Sequence, residues 1–347
     1  MSVQGPSGVP LVDVTRGPAV ESVHAVAACA VDARGREMLV LGDVDVPIFL
    51  RSSAKPFIAG AIVASGAAAH YDLDDREIAV ICASHNGEAF HVETVRAILQ
   101  KIGLDESDLR CGAHAPAYEP AAAQLAAQGR APSAIHNNCS GKHAGILAMC
   151  RHLGVDHASY LAVDNPAMHR ILAFCARLSD DDATRWPVGV DGCGIPAYAT
   201  PLRRAALAFA RLATLEGLAR EDASALERVR RAMAAEPAYV GGTGRFDSAL
   251  IATTRGRVVC KAGAEGVHGD ALVREGVGLV LKVVDGNRRA TPPAAIALLG
   301  AMHALEPDEL AALGPFARTE VRNVSGRVVG AIGPRPSARI PTMQRQT

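Results

Sequence analysis

A serine and a lysine three residues apart make the first group in this sequence that is suited to covalent chemistry. They lie in the segment RSSAKPF, as Ser52 and Lys55, with Arg51 directly before them. Residues three apart at the start of a helix share a face, so the amine can contact the hydroxyl. A serine hydroxyl becomes a nucleophile when a base takes its proton, and a desolvated lysine can be that base. The tetrapeptide alone also fits an exposed helix start, but the apolar flanks PIFL and PFIAGAIVA favour a buried pair.

Two further polar motifs follow the first in a meaningful order. Ser84 begins the cluster SHNGE after the apolar run IAVICA, and Lys261 ends the apolar run RVVC in the segment KAG. A helix stop and a solvent-facing lysine would account for each motif separately. Serine β-lactamases and penicillin-binding proteins, however, use S-x-x-K, S-D-N and K-T-G in this order around one pocket. Here His85 replaces the aspartate and Ala262 the threonine.

A third group combines cysteines with a lysine. Cys139 and Lys142 are three residues apart in HNNCSGKH, and Cys193 follows in VDGCGIP. Two thiolates suit a borderline cation such as zinc. A buried thiol next to a helix-capping turn is the other interpretation, and spacing alone favours it.

Together, the motifs RSSAKPF, ASHNGE, HNNCSGKH, VDGCGIP and KAGAEG resemble the L-asparaginases of the Rhizobium etli type, also called class 3 asparaginases. The resemblance covers most of the chain, from Arg51 to Gly266. It implies a fold like that of serine β-lactamases and glutaminases, and a homodimer.

The resemblance also implies roles for individual residues. It implies two catalytic serine–lysine pairs, an aspartate and a cysteine near the substrate, and zinc held by two cysteines and a lysine, with a role in substrate binding rather than in activating water. The corresponding positions are Ser52 with Lys55, Ser84 with Lys261, Asp191 and Cys193 at the substrate, and Cys139, Lys142 and Cys193 at the metal.

The function predicted from these residues is hydrolysis of L-asparagine to L-aspartate and ammonia through an acyl-enzyme. Either Ser52 or Ser84 can be the nucleophile; we assign it to Ser52 and expect the N–H groups at the start of its helix to bind the oxyanion. Candidates for holding the substrate are Arg51, His143, Asp191 and Cys193. The alternatives are a β-lactamase, peptidase or esterase of the same fold, or an inactive protein that binds a metal or ligand.

Secondary-structure patterns predict an α+β fold in which both chain ends build one antiparallel sheet and a helical lobe is inserted between them. We expect a loose arm over residues 1–20, one catalytic unit over 21–333 and a tail over 334–347. Within that unit, sheet segments are expected over about 21–60 and 245–333, and the helical lobe over about 61–240. The segment SALIATTRGRVVCKAG is predicted to be a hairpin that turns at Arg255 and Gly256.

Composition limits the possible partners. Of 347 residues, 49% are hydrophobic, which is enough for a buried core, and 36 basic residues balance 36 acidic ones. We therefore expect neither nucleic-acid binding nor membrane association. The start MSVQGPSGVP lacks the pattern of a secretory signal, so a cytoplasmic location is expected.

Overall fold

A computed structural model describes residues 5–341 of the chain. The strands are β1 Val9–Arg16, β2 Ala19–Asp32, β3 Glu37–Leu41, β4 Pro47–Phe49, β5 Val188–Val190, β6 Pro196–Pro201, β7 Val258–Ala262, β8 Val267–Leu272, β9 Val277–Val283, β10 Thr319–Arg322 and β11 Val328–Pro334.

The α-helices are α1 Lys55–Ala64, α2 Ala67–His70, α3 Asp75–Ile81, α4 Ala89–Lys101, α5 Glu119–Ala127, α6 Ser140–Leu153, α7 Pro166–Ser179, α8 Leu202–Thr214, α9 Arg220–Ala235, α10 Pro237–Val240, α11 Phe246–Thr253, α12 Thr291–Ala301, α13 Pro307–Ala312 and α14 Gly314–Ala317. None of the helices described over residues 5–341 is both long enough and apolar enough to span a lipid bilayer.

The described residues form two compact units. The first comprises the described parts of 1–53, 199–214 and 253–347, and the second comprises 54–198 and 215–252. The first unit contains the large sheet, and the second is mainly helical. The predicted α+β fold class, with an antiparallel sheet from both chain ends and helices inserted between them, is confirmed.

The large sheet of the first unit has eight strands in the order β10-β11-β1-β2-β9-β8-β7, with β3 paired to β2. Neighbouring strands are antiparallel throughout this order. Strands β8 and β9 are buried along almost their whole length, because α8 and α12 both pack against them. Near-continuous apolar runs such as GVGLVLKVV are typical of strands covered on both faces.

Close helix packing defines the second unit, in which α1, α3, α6, α7 and α9 contact one another. A Cβ atom at Gly141 would lie 2.2 Å from the carbonyl oxygen of Val80, and one at Gly145 would lie 2.9 Å from Ile81. Only glycine therefore lets α6 approach α3 so closely. This packing brings the start of α6 next to the segment that follows α3.

Three local expectations need correction. Strand β1 lies inside the predicted loose arm, where the alternating sequence VPLVDVTR pairs with both β2 and β11. Residues 1–4 of that arm and 342–347 of the predicted tail lie outside the described residues. The predicted hairpin at Arg255 is instead helix α11 followed by strand β7. Helix α8, expected in the helical lobe, belongs to the unit that holds the large sheet.

Candidate active site

Lys55 and Ser84 are joined by a hydrogen bond in the second unit. Lys55 is the first residue of α1, is 1% exposed, and donates from Nζ to Ser84 Oγ over 3.0 Å. It also donates to the carbonyl oxygens of Ala83 and Asn138, the latter at 3.4 Å. Residue spacing predicts Ser52 as the partner of Lys55, and the resemblance to class 3 asparaginases implies Lys261 as the partner of Ser84. The bond between Lys55 and Ser84 connects the two predicted pairs, which no local spacing reveals.

The polar cluster SHNGE is held in place by its main chain. Ser84 N–H donates to Val240 O over 3.1 Å, and Asn86 N–H donates to Gly241 O over 3.0 Å. Glu88 accepts from both the N–H and the hydroxyl of Thr243, each at 2.8 Å. These contacts position Ser84 beside the amine of Lys55.

Glycine is required at position 242, directly beside this cluster. A Cβ atom there would lie 2.2 Å from Asn86 Oδ1 and 2.6 Å from Glu88 Oε1, and φ of Gly242 is +112°. Asn86 Oδ1 is buried and has no hydrogen-bond partner among the described residues, although Asn86 Nδ2 donates to Thr243 O. Sequence reasoning missed Glu88 and Thr243, and only the abrupt polar break after IAVICA pointed to this region.

His85 ties the cluster to the start of α6. Ser140 Oγ donates to Ile135 O over 2.8 Å, so the hydroxyl can only accept from His85 Nε2–H, at 2.9 Å. The other ring nitrogen of His85 accepts from Gly87 N–H. Burial lowers the pKa of His85 well below its usual range, which keeps the ring neutral. His85 therefore serves as a rigid connector between the two segments.

Cys139, Lys142 and Cys193 meet in the second unit. Cys139 precedes α6, Lys142 lies in its first turn, and Cys193 lies in the tight turn between β5 and β6. Lys142 Nζ donates to Cys193 Sγ over 2.9 Å, and all three side chains are buried. The structure thus brings together all three residues of the predicted metal site.

The charges in this group depend on one another. A hydrogen bond from Cys193 lowers the pKa of Cys139 well below its usual range against the effect of burial, and the positive charge of Lys142 acts in the same direction. The same bond, together with burial, raises the pKa of Cys193. Burial acts to lower the pKa of Lys142, but Cys139, Cys193 and Asp191 outweigh it and raise that pKa. These directions favour a thiolate at Cys139 beside the ammonium of Lys142, with the proton held by Cys193.

The donor set fits a zinc ion. Two thiolates cancel the two charges of the ion, and the third donor is the amine of Lys142. Binding would release the proton of Cys193 and one proton of Lys142, so the affinity would depend on pH.

His143 presents a buried hydrogen-bond donor close to this group. Tyr160 Oη accepts from Arg110 N–H over 2.8 Å and lies 2.7 Å from His143 Nδ1. We assign the tyrosine hydroxyl as the donor of the second bond, which places the proton of the neutral ring on Nε2, a buried atom with no partner among the described residues. Burial lowers the pKa of His143 well below its usual range. Tyr160, which orients this ring, was missed by sequence reasoning because it lies seventeen residues away in an irregular segment.

The first unit carries Arg51, Ser52 and Lys261. Arg51 and Ser52 begin a short 3₁₀ helix, and Arg51 has a left-handed backbone with φ of +52°. Ser52 is half-buried, whereas Ser53 is buried and its N–H and hydroxyl both donate to Leu50 O. The N–H group of Ser53 thus already has an acceptor within this turn.

Lys261 is fully buried on β7 and donates to Ala262 O over 2.8 Å. The end of this strand lies against the turn that precedes Ser52. A Cβ atom at Gly263 would lie 2.6 Å from Leu50 O and 3.3 Å from Ser53 N. The KAG motif therefore needs its glycine for the close approach of two backbone segments.

Comparison with known proteins identifies the family of this chain. The sequence model of one family, L-asparaginase II, matches residues 12–334, which is most of the chain. The chain belongs to the L-asparaginase II family, and the predicted membership of an asparaginase family is confirmed. No curated protein matches the sequence.

Similar solved structures include those of Mglu. The native form shares 15% identity with a TM-score of 0.46, covering 82% of this chain and 66% of that one. The native form in 4.3 M NaCl shares 17% identity with a TM-score of 0.37, covering 87% and 66%. This chain therefore spans just under two thirds of the length of these Mglu chains.

Proposed function

We propose that this protein hydrolyses the side-chain amide of L-asparagine, producing L-aspartate and ammonia. The hydrogen bond of 3.0 Å between Lys55 Nζ and Ser84 Oγ, in a chain of the L-asparaginase II family, is the observation that carries the proposal. A buried amine in contact with a serine hydroxyl is the arrangement that serine–lysine hydrolases need for proton transfer.

In the proposed first step, Ser52 Oγ attacks the amide carbon and Lys55 takes up its proton. The carbon–nitrogen bond then breaks, and the proton passes from Lys55 through Ser84 Oγ to the leaving nitrogen, which departs as ammonia. Water hydrolyses the resulting ester with help from Lys261, and this restores the hydroxyl of Ser52. The contact between Lys55 and Ser84 supports the relay part of this sequence.

The charged ends of the substrate need partners of opposite charge. In the proposal, Asp191 binds the α-ammonium group and Arg51 binds the α-carboxylate. The buried Nε2–H of His143 is a neutral donor available for a substrate oxygen. Cys193 lies two residues after Asp191 in the same tight turn, so binding of substrate and the state of the thiol are expected to be linked.

Zinc is proposed as the ion held by Cys139, Lys142 and Cys193. When bound, the ion would hold Cys193 in the turn that carries Asp191 and so aid substrate binding. Without the ion, the hydrogen bond from Lys142 Nζ to Cys193 Sγ holds the same turn. Cys193→Ser should reduce the zinc content by about one ion per chain, whereas Cys175→Ser, on α7, should not. Equal zinc in both variants would remove this ion from the proposal.

Turnover of a panel of substrates tests the function, measured as ammonia release for the amides and as the colour change for the β-lactam. The panel contains L- and D-asparagine, L-glutamine and a chromogenic β-lactam. We expect L-asparagine to be the preferred substrate, since a pocket that fits its side chain disfavours one additional methylene by about 1–3 kcal/mol. Hydrolysis of the β-lactam alone would show a β-lactamase-type enzyme instead, and absence of turnover with every compound would show a binding protein.

A further inference from the structure

Cys260, His268 and Asp270 form a second group of metal-ligating side chains, in the first unit. Cys260 lies on β7 and the other two on β8, and Cys260 is directly opposite Asp270 in the strand register. Directly opposite residues, and residues two apart on a strand, point to the same face of a sheet. One ligand atom from each residue lies within 4.8 Å of the others, and all three residues are fully buried.

This group lies on the face of the sheet opposite to Lys261. Lys261 pairs with Gly269, and a Cβ atom at Gly269 would lie 2.2 Å from the ring of Phe209 on α8. Side chains alternate between the two faces, so Lys261 and α8 share one face while Cys260 and Asp270 point to the other. The group is therefore separate from the lysine of the proposed active site.

Charge and hydrogen bonding both favour a divalent cation at this place. His268 Nε2 is 2.8 Å from Asp270 Oδ1, but Asp270 Oδ2 is buried and has no hydrogen-bond partner among the described residues. A buried carboxylate oxygen without a hydrogen bond lowers the free energy of unfolding. One carboxylate and one thiolate together carry two negative charges, which a divalent ion with a neutral imidazole balances completely.

We propose that Cys260, His268 and Asp270 bind a structural zinc ion that links strands β7 and β8. A thiolate, an imidazole and a carboxylate are ligands that zinc accepts together. The ion takes the place of the proton between His268 and Asp270, and rotation of the three side chains brings their donors to the roughly 3.4 Å separation of a tetrahedral site. Because the ligands are fully buried, the ion enters during folding and is retained through dialysis.

The test removes the other proposed zinc site first. The double variant Cys139→Ser/Cys193→Ser is produced in medium with zinc and desalted, and its metal content is measured by mass spectrometry together with its circular dichroism. We expect about one zinc ion per chain in this background, and none after the further change Cys260→Ser. The matched control is Cys29→Ser, since Cys29 is equally buried in the same sheet and its register places it on the face shared with α8.

A folded double variant that contains no zinc would overturn the proposal, as would zinc that persists after Cys260→Ser. If the double variant does not fold, the substitution Asp270→Asn in the otherwise unchanged chain tests the site instead. This substitution keeps the shape of the side chain and removes its charge, so the zinc content should decrease by about one ion per chain, with no decrease for Cys29→Ser. Equal zinc in the Asp270→Asn variant and the unchanged chain would refute the site. Since none of these measurements uses activity, they are independent of the proposed hydrolysis.

Discussion

At the scale of single residues, the contact between Lys55 and Ser84 changes how the two serines are understood. Spacing alone pairs Lys55 with Ser52, and the fold adds Ser84 as a hydrogen-bond acceptor of the same amine. A lysine shared in this way can take a proton from one hydroxyl and return it through the other. In the proposed mechanism, both serines therefore depend on Lys55.

Kinetics of three alanine variants test this dependence. Ser52→Ala and Ser84→Ala should each lower kcat for ammonia release by on the order of 10³-fold, because each removes a group that transfers a proton or forms the ester. Ser53→Ala is the control, since its hydroxyl only donates to Leu50 O. Trapping with substrate and mass spectrometry should locate the acyl group on Ser52, and acylation of Ser84 would reverse the two roles.

Buried histidines give the protein a defined response to acid. Burial lowers the pKa of His91 to about 4, although its hydrogen bond to Ala238 O acts in the opposite direction. Between that value and the unfolded value of about 6.5, the unfolded chain binds the additional proton. His91 therefore does not reduce the free energy of unfolding above about pH 6.5, and it reduces it progressively as the pH falls toward 4.

The loss from His91 alone should be about 3 kcal/mol in the free energy of unfolding. Urea unfolding at a series of pH values measures it, with His91→Gln as the comparison, because glutamine can still donate to Ala238 O and does not titrate. The variant should lose less stability than the unchanged protein between pH 6.5 and 4. Parallel pH curves for the two proteins would show that the pKa of His91 is the same in the folded and unfolded states.

At the scale of elements, α8 packs directly against the backbone of the sheet at Gly278, with no side chain between them. A Cβ atom at Gly278 on β9 would lie 2.1 Å from Ala206 O and 2.2 Å from Ala210 N. Both atoms belong to the backbone of α8, so they cannot turn aside as a side chain can. The distance between this helix and the sheet is therefore determined by a glycine.

Two glycine-to-alanine substitutions in the same unit should have opposite effects. Gly278→Ala should destabilise the protein by about 1–3 kcal/mol, because α8 has to move away from β9. Gly300→Ala, inside α12, should be neutral or stabilise by up to about 1 kcal/mol, since its Cβ atom would meet only Leu310 at 3.8 Å. Urea unfolding measures both. Equal stability of the two variants would mean that the packing at Gly278 is loose.

At the scale of the whole molecule, the balanced charge gives no long-range electrostatic attraction to partners, so any association depends on specific surfaces. The 36 basic and 36 acidic residues cancel, and strong attraction to polyanions is not expected. The homodimer implied by the resemblance to class 3 asparaginases remains a proposal for this chain.

Light scattering after size-exclusion chromatography tests the dimer. The chain has a mass of 36.0 kDa, so a homodimer should give about twice that value. The mass should stay constant in moderate salt, since screening weakens only exposed charge pairs. A mass of one chain across micromolar concentrations would contradict the proposal.

The sequence by itself determined the fold class and the family, and it proposed the residues that carry chemistry. Periodicity and turn residues are local properties, so helices such as α4 and α6 and strands such as β2 and β9 could be predicted from their own residues. Strand β1 was missed because Gly5, Pro6, Gly8 and Pro10 are typical of a loose segment, and one of its two pairing partners, β11, is more than 300 residues away.

Only the tertiary structure decided which reactive groups touch. The bond between Lys55 and Ser84 spans 29 residues, and that between Lys142 and Cys193 spans 51. The group of Cys260, His268 and Asp270 depends on the register of β7 and β8, since a shift of one residue would turn Cys260 to the other face of the sheet. Hydrogen bonds and metal ligation act over a few ångströms in space, and spacing along a chain constrains such distances only within one helix, strand or turn.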